Sequence, residues 1–182
     1  RDRDGMFQSS VVLFRTDSEE ILRTIPIGNA LIYDLHFLPG NTLCVLCEDA
    51  LYFYELDGQC LGSYAFEDAY LKDYTLDGNG FVTLVMNLYK AGNGYTALTV
   101  GYDGTVLGTL PISEQILDIS ASGKYLALLT SGALSIYDQN LTEYDVSDNT
   151  TGASSAVMRE DGSAILLANG HGTLYVLSLI HI

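Results

Sequence analysis

Apolar residues in this chain occur in short runs that glycine-containing turns interrupt at regular distances. Four segments share the order apolar run, glycine turn, apolar run: LIYDLHFLPGNTLCVL (31–46), YLKDYTLDGNGFVTLVM (70–86), QILDISASGKYLALLT (115–130) and SAVMREDGSAILLA (155–168). Short apolar runs bounded by turn residues are typical of β-strands. The pattern therefore predicts antiparallel strand pairs that repeat along the chain.

The repeat has a nearly fixed period. Its turn glycines, which are 38, 45 and 39 residues apart, are Gly40, Gly78, Gly123 and Gly162. A period in this range is typical of arrays of four-stranded blades. We therefore predict an all-β fold, a sector of a β-propeller over residues 4–176 that is incomplete at its N-terminal side. The predicted blades are 5–27 (partial), 30–66, 69–112, 115–146 and 154–176 (partial).

The amino-acid composition is typical of β-strands, and the net charge restricts the classes of partner that the protein can bind. The chain of 182 residues is 48% hydrophobic, with thirteen Tyr, and its eighteen Gly and three Pro indicate tight turns. Acidic side chains outnumber basic ones 23 to 8, a net charge of −15. Nucleic acid is excluded as a partner because phosphate binding needs clustered Lys and Arg. The scattered acids indicate a solubilising surface, with an acidic groove for a cation or a basic partner as the alternative.

Three aspartates stand at matching places in the repeats. Asp34, Asp73 and Asp118 precede their turn glycines by six, five and five residues. We predict a structural role, in which the carboxylate at the end of a blade's first strand accepts hydrogen bonds from N–H groups of the adjoining turn. The alternative is a ring of carboxylates that binds cations at one mouth of a central channel. Ser155 and Ala156 occupy the matching place in the fourth repeat, which weakens this alternative.

Motifs for catalysis are weak. Cys44 and Cys47 have C-x-x-C spacing, but side chains three apart on a strand point to opposite faces, so we expect packed, reduced thiols, with Cys60 alone. His36 lies in a predicted first strand and His171 in a predicted turn, and neither has a partner motif. We predict no catalytic, cofactor-binding or metal-binding residues.

Two polar segments are the hypothetical binding loops. The hairpin tip Lys90–Tyr95 is longer than its equivalents, and Ser147–Ser154 is a polar linker. Loops held by a rigid ring are where propellers usually bind. The residues to test are Lys90, Asn93, Tyr95, Asp148 and Asn149. The simpler interpretation is that both segments are surface loops without a binding role.

The sequences at both ends of the chain resemble the translation of a DNA element that is used to build sequencing libraries. Residues 177–182, LSLIHI, resemble the translation of a transposon mosaic end used to build sequencing libraries, and the opening Arg-Asp-Arg matches the opposite orientation. We therefore expect residues 1–3 and 177–182 to be library scars on a metagenomic fragment and exclude them from the fold. Because the predicted strands begin and end with a third strand of a blade, the fragment is expected to be a sector of a larger ring.

The segment ILDISASGKYLALLTSGALSIYDQNLTEY (116–144) resembles the final blades of WD-repeat-like and quinoprotein-like propellers. Together with IGNALIYDLHFLPG (27–40), the stretch from 64 to 92 and VMREDGSAILLANG (157–170), it is similar to the C-terminal half of an uncharacterised Firmicutes family of membrane-anchored propellers. The resemblance implies one N-terminal transmembrane helix followed by an extracytoplasmic propeller. It supplies no catalytic residues.

Two functions remain open. The first is a non-enzymatic extracytoplasmic module, without a cofactor, that binds an unknown protein, peptide or glycan and meets the membrane only through a missing N-terminal helix. The second is part of a propeller enzyme, of the quinone-dependent dehydrogenase or lyase type, whose site is shared with missing blades. A cytoplasmic scaffold is a third interpretation. Catalytic clusters in the complete gene would favour the enzyme.

Overall fold

The structure is a computed structural model that describes residues 8–87 and 94–176. Within these residues every regular element is a β-strand, and no helix has the length and apolar content needed to cross a lipid bilayer. The described residues fall into two compact units. The first contains 8–67 with the turn Tyr102–Thr105, and the second contains the described parts of 68–101 and 106–176.

The first unit contains a two-stranded and a four-stranded antiparallel sheet, each in chain order. Its strands are β1 (Ser9–Phe14) and β2 (Ile21–Gly28), then β3 (Ile32–Leu38), β4 (Thr42–Cys47), β5 (Ala50–Glu55) and β6 (Cys60–Ala65). β4 is a continuous apolar run because it is buried on both faces, whereas the edge strands β3 and β6 alternate between covered and exposed residues. Val11 and Ile25 of the small sheet pack against Leu43, Val45 and Cys47.

The second unit contains two four-stranded sheets and one three-stranded sheet, again antiparallel and in chain order. Its strands are β7 (Tyr70–Thr75), β8 (Phe81–Asn87), β9 (Tyr95–Gly101) and β10 (Val106–Ile112); β11 (Ile116–Ser122), β12 (Tyr125–Thr130), β13 (Leu134–Tyr137) and β14 (Glu143–Ser147); and β15 (Ala153–Met158), β16 (Ala164–Ala168) and β17 (His171–Tyr175). One apolar core joins the sheets β7–β10 and β11–β14, and another joins β11–β14 and β15–β17. These blade-like sheets confirm the predicted all-β class.

The four predicted turn glycines lie between the first two strands of their sheets. Gly40, Gly123 and Gly162 have positive φ angles of 83°, 58° and 86°, a conformation that favours glycine. In the remaining turn Gly80 takes the positive φ, and Gly78 is needed for space, since a Cβ there would overlap the carbonyl and ring of Phe81. In the turn 77–80 the positive φ angle and the lack of space for a Cβ atom therefore belong to two different glycines.

Each first strand carries a β-bulge, in which one residue has no partner across the sheet. We call the next residue, at which pairing resumes, the bulge residue: Asp34, Asp73, Asp118 or Ser155. In the three aspartates Oδ1 accepts a hydrogen bond from the next N–H of the same strand, at 2.7, 2.9 and 3.0 Å. This partner differs from the turn N–H groups that the sequence suggested. The bulge accounts for the difference, because it turns the next N–H out of the strand ladder and toward the carboxylate.

Neighbouring first strands in the second unit are joined by side-chain hydrogen bonds. The N–H of Ala121 donates to Thr75 Oγ1 at 3.3 Å, and the N–H of Met158 donates to Ser120 Oγ at 3.0 Å. In both pairs the acceptor lies two residues after its bulge residue and the donor three residues after the bulge residue of the next sheet. The same hydrogen bond therefore joins matching positions in two successive pairs of sheets.

Asp118 compensates for the fourth repeat, where the bulge residue is Ser155 and not an aspartate. Its Oδ2 accepts hydrogen bonds from the Ser155 hydroxyl and, at 2.8 Å, from the N–H of Ala156. Ala156 follows the bulge residue, so its N–H corresponds to the N–H groups that the aspartates bind in their own strands. The carboxylate of Asp118 therefore accepts hydrogen bonds at the bulges of two consecutive sheets.

Candidate functional site

The structure describes only part of the hypothetical binding loops. Lys90 and Asn93 lie outside the described residues. Tyr95 begins β9, pairs with Ile112 and packs half-buried against the apolar core. Asp148 and Asn149 form an exposed turn in which the N–H of Thr150 donates to the Asp148 carbonyl at 2.9 Å. Among the described residues, Tyr95 and the turn at Asp148 and Asn149 contact no common residue, so these candidates do not form one site.

A concave site within the second unit is a better candidate. This groove has a volume of about 300 Å³ and lies between β10 with its following loop on one side and β12–β14 on the other. Its lining residues are Leu110, Pro111, Ile112, Ser113, Glu114, Leu128, Thr130, Ala133, Ser135, Tyr137 and Val146. The volume is at the lower end of the range found for ligand sites, roughly 300 to 1,000 Å³.

The walls of the groove are apolar because strand alternation points every second residue of β10 toward the neighbouring sheet. Leu110 and Ile112 pack half-buried against the core that contains Leu128. On the opposite wall Val146 of β14 is exposed. An apolar ligand surface can therefore be covered from two sides.

A fixed carboxylate stands at one end of the groove. The Thr130 hydroxyl donates to Glu114 Oε2 at 2.6 Å. The same hydroxyl oxygen accepts the N–H groups of Gly132 and Ala133 at 3.3 and 3.1 Å, so the β12–β13 turn orients it. Glu114 is thereby held in one position beside the apolar wall.

A tyrosine supplies the second polar group. Tyr137 is buried, and its hydroxyl donates to Glu143 Oε2 at 3.4 Å. Burial raises the pKa of Tyr137, the negative charges of Glu143 and Glu114 add to the rise, and a hydrogen bond with Ser135 opposes it. The phenol therefore stays neutral near pH 7. With the Glu114 carboxylate beside apolar walls, the groove favours a ligand that carries both an apolar surface and a positive charge.

The cysteines are poorly placed for chemistry. Burial raises the pKa of Cys44 to about 12 and that of Cys47 to about 11, and nearby carboxylates add to both shifts. Only a thiolate is nucleophilic or ligates metals, so these two thiols are inert near pH 7. Cys60 is exposed. Between residues 8 and 87 and between 94 and 176, no three His, Cys, Asp or Glu side chains cluster so as to hold a metal ion.

The two described histidines stand in different strands. His36 in β3 is paired with Cys44 across the sheet. His171 begins β17, so the sequence assignment of this residue to a turn is wrong. The turn is shorter than expected, because Gly170 with a φ of 86° completes it and lets pairing start at the next residue.

One first-strand carboxylate, that of Asp73, has a raised pKa. Burial raises the pKa of Asp73, the charge of Asp118 adds to the rise, and the hydrogen bond from the Tyr74 N–H opposes it. Both aspartates lie in the second unit, in β7 and β11. Their repulsion is a cost that the bulge hydrogen bonds offset.

Comparisons with known proteins identify the fold of this chain. No protein-family model matches the chain, and no curated protein matches it. A protein of unknown function from Bacteroides caccae is 11% identical with a TM-score of 0.49, over 95% of this chain and 67% of that one. Regucalcin from Agrobacterium tumefaciens, a calcium-binding protein, is 14% identical with a TM-score of 0.54; the match spans 88% of this chain and 62% of the regucalcin chain. With the sheets described above, the likeness to regucalcin identifies the fold as that of a partial β-propeller.

Proposed function

We propose that this protein is a non-enzymatic propeller module that binds a polypeptide partner. The observation that carries the proposal is the groove between β10 and β12–β14, with its apolar walls and its fixed Glu114 carboxylate. An extended peptide that alternates apolar and basic side chains matches both features. The net charge of −15 favours the approach of such a peptide.

A pair of synthetic peptides tests this proposal. One peptide alternates leucine with lysine, and the other has glutamate in place of lysine. We expect the lysine peptide to bind the intact chain saturably in a calorimetric titration and the glutamate peptide not to bind. Glu114→Gln keeps an acceptor for Thr130 but removes the charge, and should weaken binding about fivefold.

A matched control separates the groove from the overall charge. Glu19→Gln makes the same charge change at an exposed loop residue of the first unit. It should leave the affinity unchanged. Equal losses from Glu19→Gln and Glu114→Gln, or equal binding of both peptides, would show that the groove has no specific role.

For the full-length protein we propose an extracytoplasmic location behind an N-terminal membrane helix. The family resemblance of the segments at 27–40, 64–92, 116–144 and 157–170 supports this location. Protease added to intact cells that express the complete gene should digest the propeller. Protection until the cells are lysed would contradict the location.

A further inference from the structure

A glycine holds the Glu114 carboxylate of the groove from a second side. A Cβ atom at Gly132 would lie 2.9 Å from Glu114 Oε2 and 3.5 Å from Oε1, so the carboxylate occupies the space that a larger residue would fill. The Thr130 hydroxyl already donates to Oε2. Gly132 and Thr130 therefore fix the carboxylate together and leave Oε1 as the acceptor for a ligand.

A single acceptor oxygen distinguishes between the two basic side chains. Arginine binds a carboxylate best through two parallel N–H groups, which need both oxygens. The ammonium group of lysine is a compact donor that can bind one oxygen, and its four-carbon stem can pack along an apolar wall. Leu110, Ile112 and Val146 supply such walls in the same groove as Glu114. The groove thus matches a lysine side chain along its whole length.

Two of the main-chain donors that an added peptide strand would need are missing beside the groove. β10 and β14 are the outer strands of their sheets, which is where such a strand would pair. Pro111 of β10 has no N–H to donate. The Val146 N–H of β14 donates to Asp145 Oδ1 at 2.9 Å. Because main-chain pairing is weakened on both sides, recognition of a peptide depends on its side chains.

We propose that the groove binds a single lysine side chain of a partner polypeptide, with the ammonium group on Glu114 Oε1 and the stem against the walls of β10 and Val146. This inference rests on the proposed function, since it specifies how the basic peptide binds. Gly132 is a positioning residue, because it acts on the ligand only through Glu114. The site should prefer lysine to arginine and to a neutral side chain of similar length.

Three synthetic peptides test this selectivity. Each alternates leucine with serine and carries one central residue, which is lysine, arginine or acetyllysine. We expect the single-lysine peptide to bind the intact chain saturably in a calorimetric titration. The single-arginine peptide should bind about fivefold more weakly, and the acetyllysine peptide, which lacks the charge, at least about tenfold more weakly.

Gly132→Ala tests the position of the carboxylate without a change of charge. The atoms nearest to the added Cβ all belong to the end of the flexible Glu114 side chain, so we expect the carboxylate to shift and the fold to remain. Binding of the single-lysine peptide should weaken about fivefold, and its advantage over the arginine peptide should disappear. Gly172→Ala is the matched control, because the nearest contact of a Cβ there is an ordinary one at 3.5 Å.

The hydroxyl on the other side of the carboxylate provides a rescue test. Thr130→Val removes the hydrogen bond to Glu114 and should also abolish the preference for lysine. Thr130→Ser keeps the hydroxyl and should retain the preference. Thermal unfolding of each variant checks that it is folded, so that a loss of selectivity is separated from a loss of structure.

The outcomes separate this inference from the proposed function. Absence of binding by the alternating leucine and lysine peptide overturns both. If that peptide binds but the single-lysine and single-arginine peptides have equal affinity, or Gly132→Ala leaves the preference unchanged, only the inference is overturned. N-methylation of the leucine N–H groups in the single-lysine peptide should leave its affinity unchanged. A loss of binding on N-methylation would overturn side-chain insertion in favour of strand pairing.

Discussion

At the scale of single residues, the second unit contains a hydroxyl with an unmet hydrogen bond. Thr83 is fully buried between its cross-strand partners Thr75 and Thr99, and its Oγ1 has no hydrogen-bond partner among the described residues. The neighbouring Thr99 hydroxyl donates to the carbonyl of Gln139 at 2.6 Å. An unsatisfied buried hydroxyl destabilises a fold.

We expect Thr83→Val to raise the free energy of unfolding by about 1 kcal/mol, because valine has the same shape without the unpaired hydroxyl. The matched control Thr99→Val removes a made bond and should lower it by about 1 kcal/mol. Urea unfolding measures both changes. A loss of stability in both variants would show that the Thr83 hydroxyl has a partner.

The pKa of Asp73 predicts a pH dependence. Because its folded pKa is raised, the protonated carboxyl is favoured by the fold, and the stability that it contributes is lost as pH rises above the ordinary aspartate value of 3.8. Asn cannot ionise but can still accept the Tyr74 N–H. Relative to the parent protein, Asp73→Asn should therefore gain stability as pH increases from 3 to 7. Parallel stability curves in urea at the two pH values would contradict this expectation.

The thiols predict a labelling pattern. Cys44 has a pKa of about 12, so near pH 8 only about one molecule in ten thousand carries its thiolate. We expect iodoacetamide to modify Cys60 in the folded protein and all three cysteines after unfolding, as counted by mass spectrometry. Rapid modification of Cys44 in the native protein would show that β4 opens locally.

At the scale of elements, Asp118 stabilises two bulges at once. Asp118→Ala removes the acceptor of Ile119, Ser155 and Ala156 and should cost about 2–3 kcal/mol of unfolding free energy. Adding Ser155→Asp to this variant gives the fourth bulge its own carboxylate and should recover part of the loss. In the parent protein Ser155→Asp should destabilise, because it places a second carboxylate beside Asp118. Chemical unfolding of the four proteins forms a double-mutant cycle, and additive effects would rule out this role.

The sequence predicts these elements better than the contacts between them. Glycine turns and apolar runs are local signals, so the strand pairs around Gly40 and Gly123 could be located without a structure. The bulges could not, because an extra residue in a strand is set by its pairing partner. The groove was equally hidden, since Glu114, Thr130 and Val146 come from three strands or loops with no common spacing. The only available signal was the acidic composition, which indicated a basic partner as an alternative.

At the scale of the whole molecule, acidic charge dominates. The net charge is −15, and the described ion pairs Arg15–Asp17 and Arg159–Asp161 are on the surface, where they stabilise little. Repulsion between carboxylates should therefore weaken the fold at low salt. We expect Tm to rise with ionic strength and to depend equally on sodium and potassium chloride. A rise produced by calcium chloride alone, at matched ionic strength, would indicate a specific cation site.

The hydrogen bonds between first strands also bear on how such a chain can grow. Thr75 and Ser120 lie at the same place in successive sheets, and each accepts an N–H from the sheet that follows. A duplicated sheet would therefore bring an acceptor for the next sheet and a donor for the previous one. Gene duplication can therefore lengthen the array without new interface residues. One altered repeat is tolerated, because Asp118 also accepts hydrogen bonds from Ser155 and Ala156 in the repeat that lacks the aspartate.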